Sequence, residues 1–308
     1  MQPAILAASD LSRRSAQVGA RAARIAAVLD TRLLLAHVAR PASAEPPEEA
    51  PTEPAEVVGA EVEAAQSDMS PGPLRSFGKR LLGRRPRRAT ADLGAALQVA
   101  ARRLSPAPEI RLLAGDPAEE LAELARQEEA LLMVLGLHGE RRVLDLLRLT
   151  TMERIVLAAP VPVLIAHRDA AQPYRRVLAL TDFSPASAAS LCIAVRLAPE
   201  AEFHAIHALQ LPLGARFSAK DAASDDSLTQ AEQMRAAFLA TPGLPDFAEP
   251  PEIVPGGVHE VLAYRQFELA ADLVCIGTHS GRDPGQLGFY ARDLMRAPPT
   301  DLLVAKPV

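Results

Sequence analysis

The sequence is poor in aromatic residues and in cysteine. Its 308 residues include no tryptophan and only 4% aromatic residues, while 49% are hydrophobic. We therefore expect cores built from Ala, Leu, Val and Ile. The two cysteines, Cys192 and Cys275, lie in apolar runs, which is typical of buried thiols in a reducing compartment.

Other features are also missing, and each absence argues against a class of protein. No apolar run approaches the roughly 18 residues of a membrane span, so we expect no integral membrane segment. The first residues lack the charged and apolar regions of a secretory signal, which favours a cytoplasmic location. The net charge of −5 is mild and argues against a general nucleic-acid binder.

Sequence motifs of common hydrolases are absent as well. The chain has no Gly-x-Ser-x-Gly, no Walker loop, no Cys-x-x-Cys and no His-Glu-x-x-His. Ser12 and Ser184 follow short apolar runs, but no histidine is placed to act as their base, so we interpret them as helix caps. We expect a protein without catalytic function.

A long internal repeat is the most informative feature that is present. Residues 111–142 align without gaps on residues 252–283, and Ile5–Ser12 (ILAASDLS) is similar to Val177–Ser184 (VLALTDFS). A repeat of this length indicates two copies of one domain, each large enough to hold a core. We place the first repeat at 1–168 and the second repeat at 169–308.

Short apolar runs alternate with helical patterns in each repeat, which predicts an α/β fold with parallel sheets covered by helices on both faces. Five strands are predicted in the first repeat: Ala4–Ala8, Arg32–Val38, Glu109–Leu113, Ala130–Leu135 and Val161–Ala166. Five are predicted in the second: Arg176–Leu180, Glu202–Ala208, Pro251–Val254, Asp272–Ile276 and Asp301–Ala305.

An insertion at 41–88 interrupts the first repeat. A Pro/Glu-rich piece, Pro41–Pro54, precedes a weak helix and the basic run Lys79–Arg88. This composition is typical of a solvated, mobile loop. Alternatively, the basic run is a docking site for an acidic partner or for anionic lipid headgroups.

With these motifs placed, the chain resembles a tandem universal stress protein of the UspA-type family. In both repeats the first strand ends in Asp (LAASDLS, LALTDFS) and the second in His (LLLAHVA, FHAIHAL). The turn Gly115–Glu120 and the sequences GLHG and GTHS after the fourth strand add to the likeness. The motifs occur in the same order twice and cover most of both repeats outside 41–88.

The resemblance implies two Rossmann-like, doubly wound parallel sheets, each of strand order 3-2-1-4-5. It also implies pairing through the last strands, Val161–Ala166 and Leu302–Ala305, because edge strands leave backbone donors and acceptors unfilled. We therefore expect an intramolecular pseudo-dimer. Further homodimerisation of the chain stays open.

ATP-binding members of this family carry Gly-x2-Gly-x9-Gly-Ser/Thr after the fourth strand, where backbone N–H groups surround phosphates. The first repeat has Gly136, Gly139 and Thr150, but Leu149 replaces the third glycine. The second repeat lacks the second glycine, and aligning the closing strands puts its Gly288 opposite Leu149. We therefore expect the better phosphate loop in the first repeat.

By this resemblance, ATP or a related adenine nucleotide would contact Asp10 through its ribose and the backbone near His37 and Val38 through its adenine. The turn Gly136–Gly139, which includes His138, would hold the phosphates together with Thr150. Asp182, Gly277 and Gly288 take the corresponding places in the second repeat. Alternatively, the glycines merely shape a strand-to-helix turn and Leu149 blocks the pocket.

Three histidines of the second repeat lie near the carboxyl ends of predicted strands: His207 in the end of the second strand, His259 after the third and His279 after the fourth. With Asp182 they form a conceivable zinc set. Histidines at strand ends recur in the family for other reasons, however, so we expect ordinary histidines and no metal.

Three functions remain from these observations. The first is a nucleotide-responsive stress protein whose surface for a protein partner changes with nucleotide, with at most slow, incidental ATP hydrolysis. The second is a nucleotide-independent interaction module. The third is a metal or small-molecule sensor that uses the ends of the strands in the second repeat.

Overall fold

The computed structural model describes residues 2–12, 15–39, 86–137, 149–167, 172–210, 222–278 and 286–307. The insertion up to residue 85 lies outside these residues, and with it most of the basic run Lys79–Arg88. The last three residues assigned to the insertion belong to a helix that begins at Pro86, where the missing N–H of proline costs no hydrogen bond.

Strands and helices alternate along both repeats. The first repeat contains β1 (Ala4–Ala8), α1 (Ser15–Val28), β2 (Arg32–Ala39), α2 (Pro86–Ala101), β3 (Glu109–Ala114), α3 (Pro117–Gln127), β4 (Ala130–Gly136), α4 (Thr151–Ala158) and β5 (Val163–Ala166). The second contains β6 (Arg176–Leu180), α5 (Pro185–Leu197), β7 (Glu202–Leu209), α6 (Ala222–Leu239), β8 (Glu252–Pro255), α7 (Val258–Glu268), β9 (Leu273–Gly277), α8 (Phe289–Arg296) and β10 (Asp301–Ala305).

The ten strands form one sheet in the order β3-β2-β1-β4-β5-β10-β9-β6-β7-β8. Each repeat therefore has the predicted order 3-2-1-4-5, and neighbouring strands within a repeat are parallel. β5 and β10 pair antiparallel, with Leu164 opposite Leu303. The two doubly wound sheets and their pairing through the last strands are confirmed. β5 begins at Val163, two residues later than predicted, because Pro162 has no N–H for the ladder.

Helices cover both faces of the sheet, and each face has one hydrophobic cluster that crosses from one repeat to the other. The cluster on one face includes residues of α3, α4, α7 and α8. The opposite cluster includes residues of α1, α2, α5 and α6. Since equivalent helices of the two repeats lie on the same face, the pseudo-twofold axis that relates the repeats runs perpendicular to the sheet.

The two cysteines differ in their surroundings. Cys275, on β9, is buried as expected, whereas Cys192, on α5, is only partly buried. Burial raises the pKa of both thiols. No helix within the described part of the chain combines the length and apolar character that a membrane crossing requires.

A buried cluster of polar side chains links the two repeats at their junction. Asp301, at the start of β10, accepts the Tyr174 hydroxyl at 2.7 Å and the His167 N–H at 2.8 Å. Arg21 of α1 places Nε 2.9 Å from Oδ2 of Asp301 and its guanidinium 4.3 Å from the centre of the Tyr174 ring. Burial and the Asp301 carboxylate raise the pKa of Tyr174 well above its usual range. The cluster thus joins α1 of one repeat, the linker and β10 of the other.

Replacement of Asp301 by alanine should strongly destabilise the protein. The substitution removes the carboxylate that pairs with the charge of Arg21 and accepts hydrogen bonds from the Tyr174 hydroxyl and the His167 N–H. We therefore expect a loss of about 3–5 kcal/mol in the free energy of unfolding. Urea unfolding followed by circular dichroism measures this loss. As a control, Glu123→Ala removes one partner of the exposed Glu123–Arg126 pair and should cost about 0.5 kcal/mol or less. Equal losses of unfolding free energy in the two variants would contradict the role of Asp301 in stabilising the junction.

Candidate functional site

Two cavities open at the carboxyl ends of the strands, one in each repeat. The first cavity has a volume of about 450 Å³ and the second cavity about 320 Å³. Both lie at the crevice where ligands bind in doubly wound parallel sheets. Each is framed by the ends of the first, second and fourth strands of its repeat and by the helix that follows the fourth strand.

Four of the residues predicted to bind nucleotide line the first cavity: Asp10, His37, Val38 and Gly136. Much of the remaining wall is apolar, with side chains from α1, α2, α3 and α4 such as Val18, Leu93, Leu121 and Ile155. Thr150 does not line the cavity, although its neighbour Thr151 does. His138 and Gly139 lie outside the described residues.

The turn after the first strand has the same construction in both repeats. The carboxylate of Asp10 accepts a hydrogen bond from the N–H two residues on at 2.9 Å, and Asp182 makes the same bond at 3.0 Å. The residues between, Leu11 and Phe183, take left-handed φ angles of 61° and 60°, which costs about 1–2 kcal/mol each. In the second repeat Ser184 caps α5, as expected for this serine.

His37 and His207 occupy equivalent places near the ends of β2 and β7. Nδ1 of His37 lies 2.7 Å from the Ser9 carbonyl oxygen, and Nδ1 of His207 lies 2.9 Å from that of Thr181. A carbonyl oxygen only accepts hydrogen bonds, so Nδ1 carries the proton in each ring. In the neutral ring, Nε2 is therefore an acceptor.

Within the described part of the chain, the histidines considered as zinc ligands do not come together around one site. His207 lines the second cavity together with Asp182. His259 does not line it, and its Nε2 lies 3.1 Å from Oδ2 of Asp293. His279 lies outside the described part of the chain, within which no group of three potential ligands is suited to hold a metal ion.

Gly136 and Gly277, which end β4 and β9, allow a helix to pack closely on the sheet. A Cβ atom at Gly136 would lie 2.9 Å from a methyl group of Val18. At Gly277 it would lie 2.7 Å from Cβ of Ala186 and 3.0 Å from the backbone nitrogen of Ser187. The alternative interpretation of these glycines as structural therefore has a physical basis, although both also line the cavities.

The helices that follow the cavities begin differently. Thr150 caps α4, with its hydroxyl accepting the Glu153 N–H at 3.2 Å and the Glu153 carboxylate accepting the Thr150 N–H at 2.7 Å. Gly288 precedes α8 and makes no side-chain cap. Gly288 is thus the counterpart of Thr150, not of Leu149 as the alignment indicated. Ala166 pairs with Gly136 and lies 16 residues after Thr150, whereas Ala305 pairs with Gly277 and lies 17 residues after Gly288. An alignment from the closing strands therefore places the start of α8 one residue out.

Glu153 also joins the two repeats. Its carboxylate is fully buried and lies 3.4 Å from Nε of Arg292 and 3.0 Å from Nε of Arg296, both on α8. The sequence motifs did not single out this residue, although the spacing Thr-x-x-Glu is a recognisable capping box. Leu149 is 43% exposed and does not line the first cavity, so the leucine does not fill the pocket.

Aromatic residues lie in and beside the second cavity. The Phe183 ring lies 5.0 Å from the His207 ring and 5.4 Å from the Phe238 ring, centre to centre. On the other side, the Gln210 amide hydrogen-bonds to the Tyr290 hydroxyl and so joins the end of β7 to α8. Tyr290 and His207 line the second cavity, whereas Phe183 and Phe238 do not.

The fold and the two cavities define a tandem, doubly wound α/β protein with a ligand crevice in each repeat. The model of the Universal stress protein family matches the chain twice, over residues 1–167 and 173–306. The chain belongs to this family, and the resemblance seen in the sequence is confirmed. No curated protein matches the chain.

Solved structures share the architecture at low sequence identity. A universal stress protein from Archaeoglobus fulgidus DSM 4304 is 16% identical with a TM-score of 0.63, covering 99% of this chain and 96% of that chain. A functionally unknown protein from Pseudomonas aeruginosa PAO1 is 17% identical with a TM-score of 0.59, over 99% and 93%. A putative universal stress protein from Pseudomonas aeruginosa UCBPP-PA14 is 17% identical with a TM-score of 0.57, over 99% and 94%. Identities this low show the fold alone.

Replacement of Gly277 by alanine should destabilise the protein more than replacement of Gly136. The new Cβ atom meets helix backbone at Gly277 but a movable methyl group at Gly136. We expect a cost of about 2–3 kcal/mol for Gly277→Ala and about 1 kcal/mol or less for Gly136→Ala. The midpoints of thermal unfolding compare the two variants directly. The reverse order would show that the glycines do not set the helix-to-sheet distance.

Proposed function

We propose that the first cavity binds an adenine nucleotide, ATP or a related compound, and that the protein is a nucleotide-responsive stress protein without catalytic function. The supporting observation is the cavity of about 450 Å³ on whose wall Asp10, His37, Val38 and Gly136 meet. These residues come from the ends of three neighbouring strands. The domains of this proposal are 1–168 and 169–308, and its setting is the cytoplasm.

The side chains of the first cavity can each bind a different part of an adenine nucleotide. Asp10 already accepts hydrogen bonds from the N–H of Ser12 and the hydroxyl of Ser15 at Oδ1. Because a carboxylate has about four lone-pair positions, it can also accept ribose hydroxyl groups. Nε2 of His37 is a further acceptor for a ligand hydroxyl or amino group. The apolar wall around Val38 suits a planar base, which gains from removal of its faces from water.

The phosphates would lie toward α4. Gly136 lines the cavity there, and the turn through His138 and Gly139 would continue their binding site. Thr150 does not line the cavity, and its hydroxyl acts as an acceptor in the capping box. Its hydrogen would therefore be available only to a phosphate that extends past the cavity wall. Occupation of this end would change the surface beside α4, and we propose that a protein partner responds to that change.

Neutralisation of Asp10 should weaken nucleotide binding. The Asp10→Asn variant keeps the acceptor for the turn but loses charged hydrogen bonds to the ribose, so we expect about tenfold weaker binding of ATP or AMP. Asp30→Asn is the matched control, because it removes the same charge from a turn before β2 at the opposite edge of the sheet. Isothermal titration calorimetry should show its affinity within about twofold of that of the unaltered protein.

Two results would count against this proposal. Unchanged affinity in the Asp10→Asn variant would remove the ribose contact. The failure of adenosine, AMP, ADP and ATP to bind the unaltered protein would favour the alternative of a nucleotide-independent interaction module.

A further inference from the structure

Helix α7 of the second repeat is poorly covered compared with its counterpart α3. Both helices have 11 residues, but α3 buries five of them and α7 only Val261 and Leu262. Within the described part of the chain, α3 packs on β2, β4 and α4, whereas α7 packs mainly on β7. Since a helix in a protein is stabilised chiefly by the packing of its apolar residues, α7 lacks part of the cover that α3 has.

The uncovered side of α7 carries two aromatic rings. Phe267 is 84% exposed and Tyr264 is 65% exposed, and Ala263 is exposed as well. Phe267 follows Tyr264 by three residues and Ala263 by four, so the three side chains lie together on one side of the helix. We call this surface the α7 aromatic face. A contiguous exposed apolar surface of this kind marks an interaction site.

The first repeat has charged residues in the same places. In the gap-free alignment of the two repeats, Tyr264 stands opposite Glu123 and Phe267 opposite Arg126. Glu123 and Arg126 form an exposed ion pair, which is typical of a helix face in contact with water. The two copies of the domain therefore differ at this helix, because only the second copy presents a face suited to another apolar surface.

The charged side chains beside the aromatic face are already engaged within the chain. Glu268 pairs with Arg265 at 2.6 Å, and Arg265 also pairs with Glu252. The Glu260 carboxylate lies beside Gly257, at the start of α7, where the helix dipole favours a negative charge. Because each of these charges has a favourable contact inside the chain, the aromatic rings are what this face offers to a partner.

The size of the aromatic face favours a second copy of this chain as that partner. Burial of an aromatic side chain removes about 150–250 Å² from water, so the exposed parts of four rings, two from each copy, amount to roughly 450–750 Å². This is about half of the roughly 1,200 Å² that a specific interface needs. The small side chain of Ala263 lets two helices approach closely, so that neighbouring residues can supply the rest.

We propose that the α7 aromatic face is an interface between two copies of this chain, related by a twofold axis. The axis places the same face on both sides of the contact, so the rings of Tyr264 and Phe267 in one copy cover those of the other. The modest area predicts a weak dimer, with a dissociation constant of about 1–100 µM. This inference goes beyond the proposed function, because it concerns neither cavity.

Exchange of the two rings for the residues of the first repeat tests the interface. The double substitution Tyr264→Glu with Phe267→Arg gives α7 the exposed ion pair of α3, so circular dichroism should show an unchanged fold. We expect at least about tenfold weaker self-association. Val99→Glu is the control, because Val99 is 59% exposed on α2 of the other repeat, and it should change self-association by less than about twofold. Sedimentation velocity over a range of protein concentrations measures all three proteins.

Cross-linking of the full chain locates the contact. A Cys192→Ser background leaves only the buried Cys275 as a thiol, and Ala263→Cys then adds one to the aromatic face. A short bismaleimide should join two copies through the added thiols into a covalent dimer. Glu123→Cys in the same background is the matched control, because Glu123 is exposed on the corresponding helix α3. It should yield little covalent dimer.

The inference is overturned if the unaltered protein is a monomer at about 200 µM, or if the double variant associates as tightly as the unaltered protein. Equal cross-linking through Ala263→Cys and Glu123→Cys would also overturn it, because the contact would not be specific to α7. A monomer that binds phosphatidylcholine vesicles through Tyr264 and Phe267 would assign the face to a lipid surface instead. Nucleotide binding in the first cavity is measured separately, so either proposal can fail without the other.

Discussion

The antiparallel pairing of β5 with β10 is the contact on which the rest of the structure depends. Each strand is the last of its own sheet, and a sheet that ended there would expose unpaired backbone groups. Three residue pairs join them, which is a short ladder for a junction between two domains. Burial around the ladder adds to the stability of this junction, because both hydrophobic clusters cross it. The Asp301 cluster lies at the start of β10, at one end of the ladder.

The junction also makes the two repeats unequal. Glu153 occupies the start of its own helix, α4, and is neutralised by two arginines of α8. A buried carboxylate of this kind is tolerated only where it is paired, so the cap of the first repeat depends on the second. Ala291 stands where α4 has Glu153, and Gly288 makes no side-chain cap on α8. Duplication therefore preserved the fold while the two crevices acquired different chemistry.

Much of the fold was predictable from the sequence. The internal repeat indicated two domains, and the alternation of apolar runs with helical patterns predicted ten parallel-sheet strands, because each pattern reflects local burial. The family resemblance supplied the strand order and the pairing of the edge strands. The candidate site was predictable in part: Asp10, His37, Val38 and Gly136 end their strands, and strand ends of a parallel sheet must meet. Thr150 was placed on the motif alone, and it lies at a helix cap beside the cavity wall.

The sequence by itself determined the repeat, the α/β class and the residues that stand at the strand ends, since these depend on neighbours along the chain. Tertiary structure alone decided which crevice is larger, which helix start has a side-chain cap and that Leu149 is exposed. Those properties depend on contacts between residues about 140 positions apart, such as Glu153 with Arg292 and Arg296. Local sequence patterns do not indicate such contacts, because the burial and neutralisation of these charges arise only when distant segments pack together.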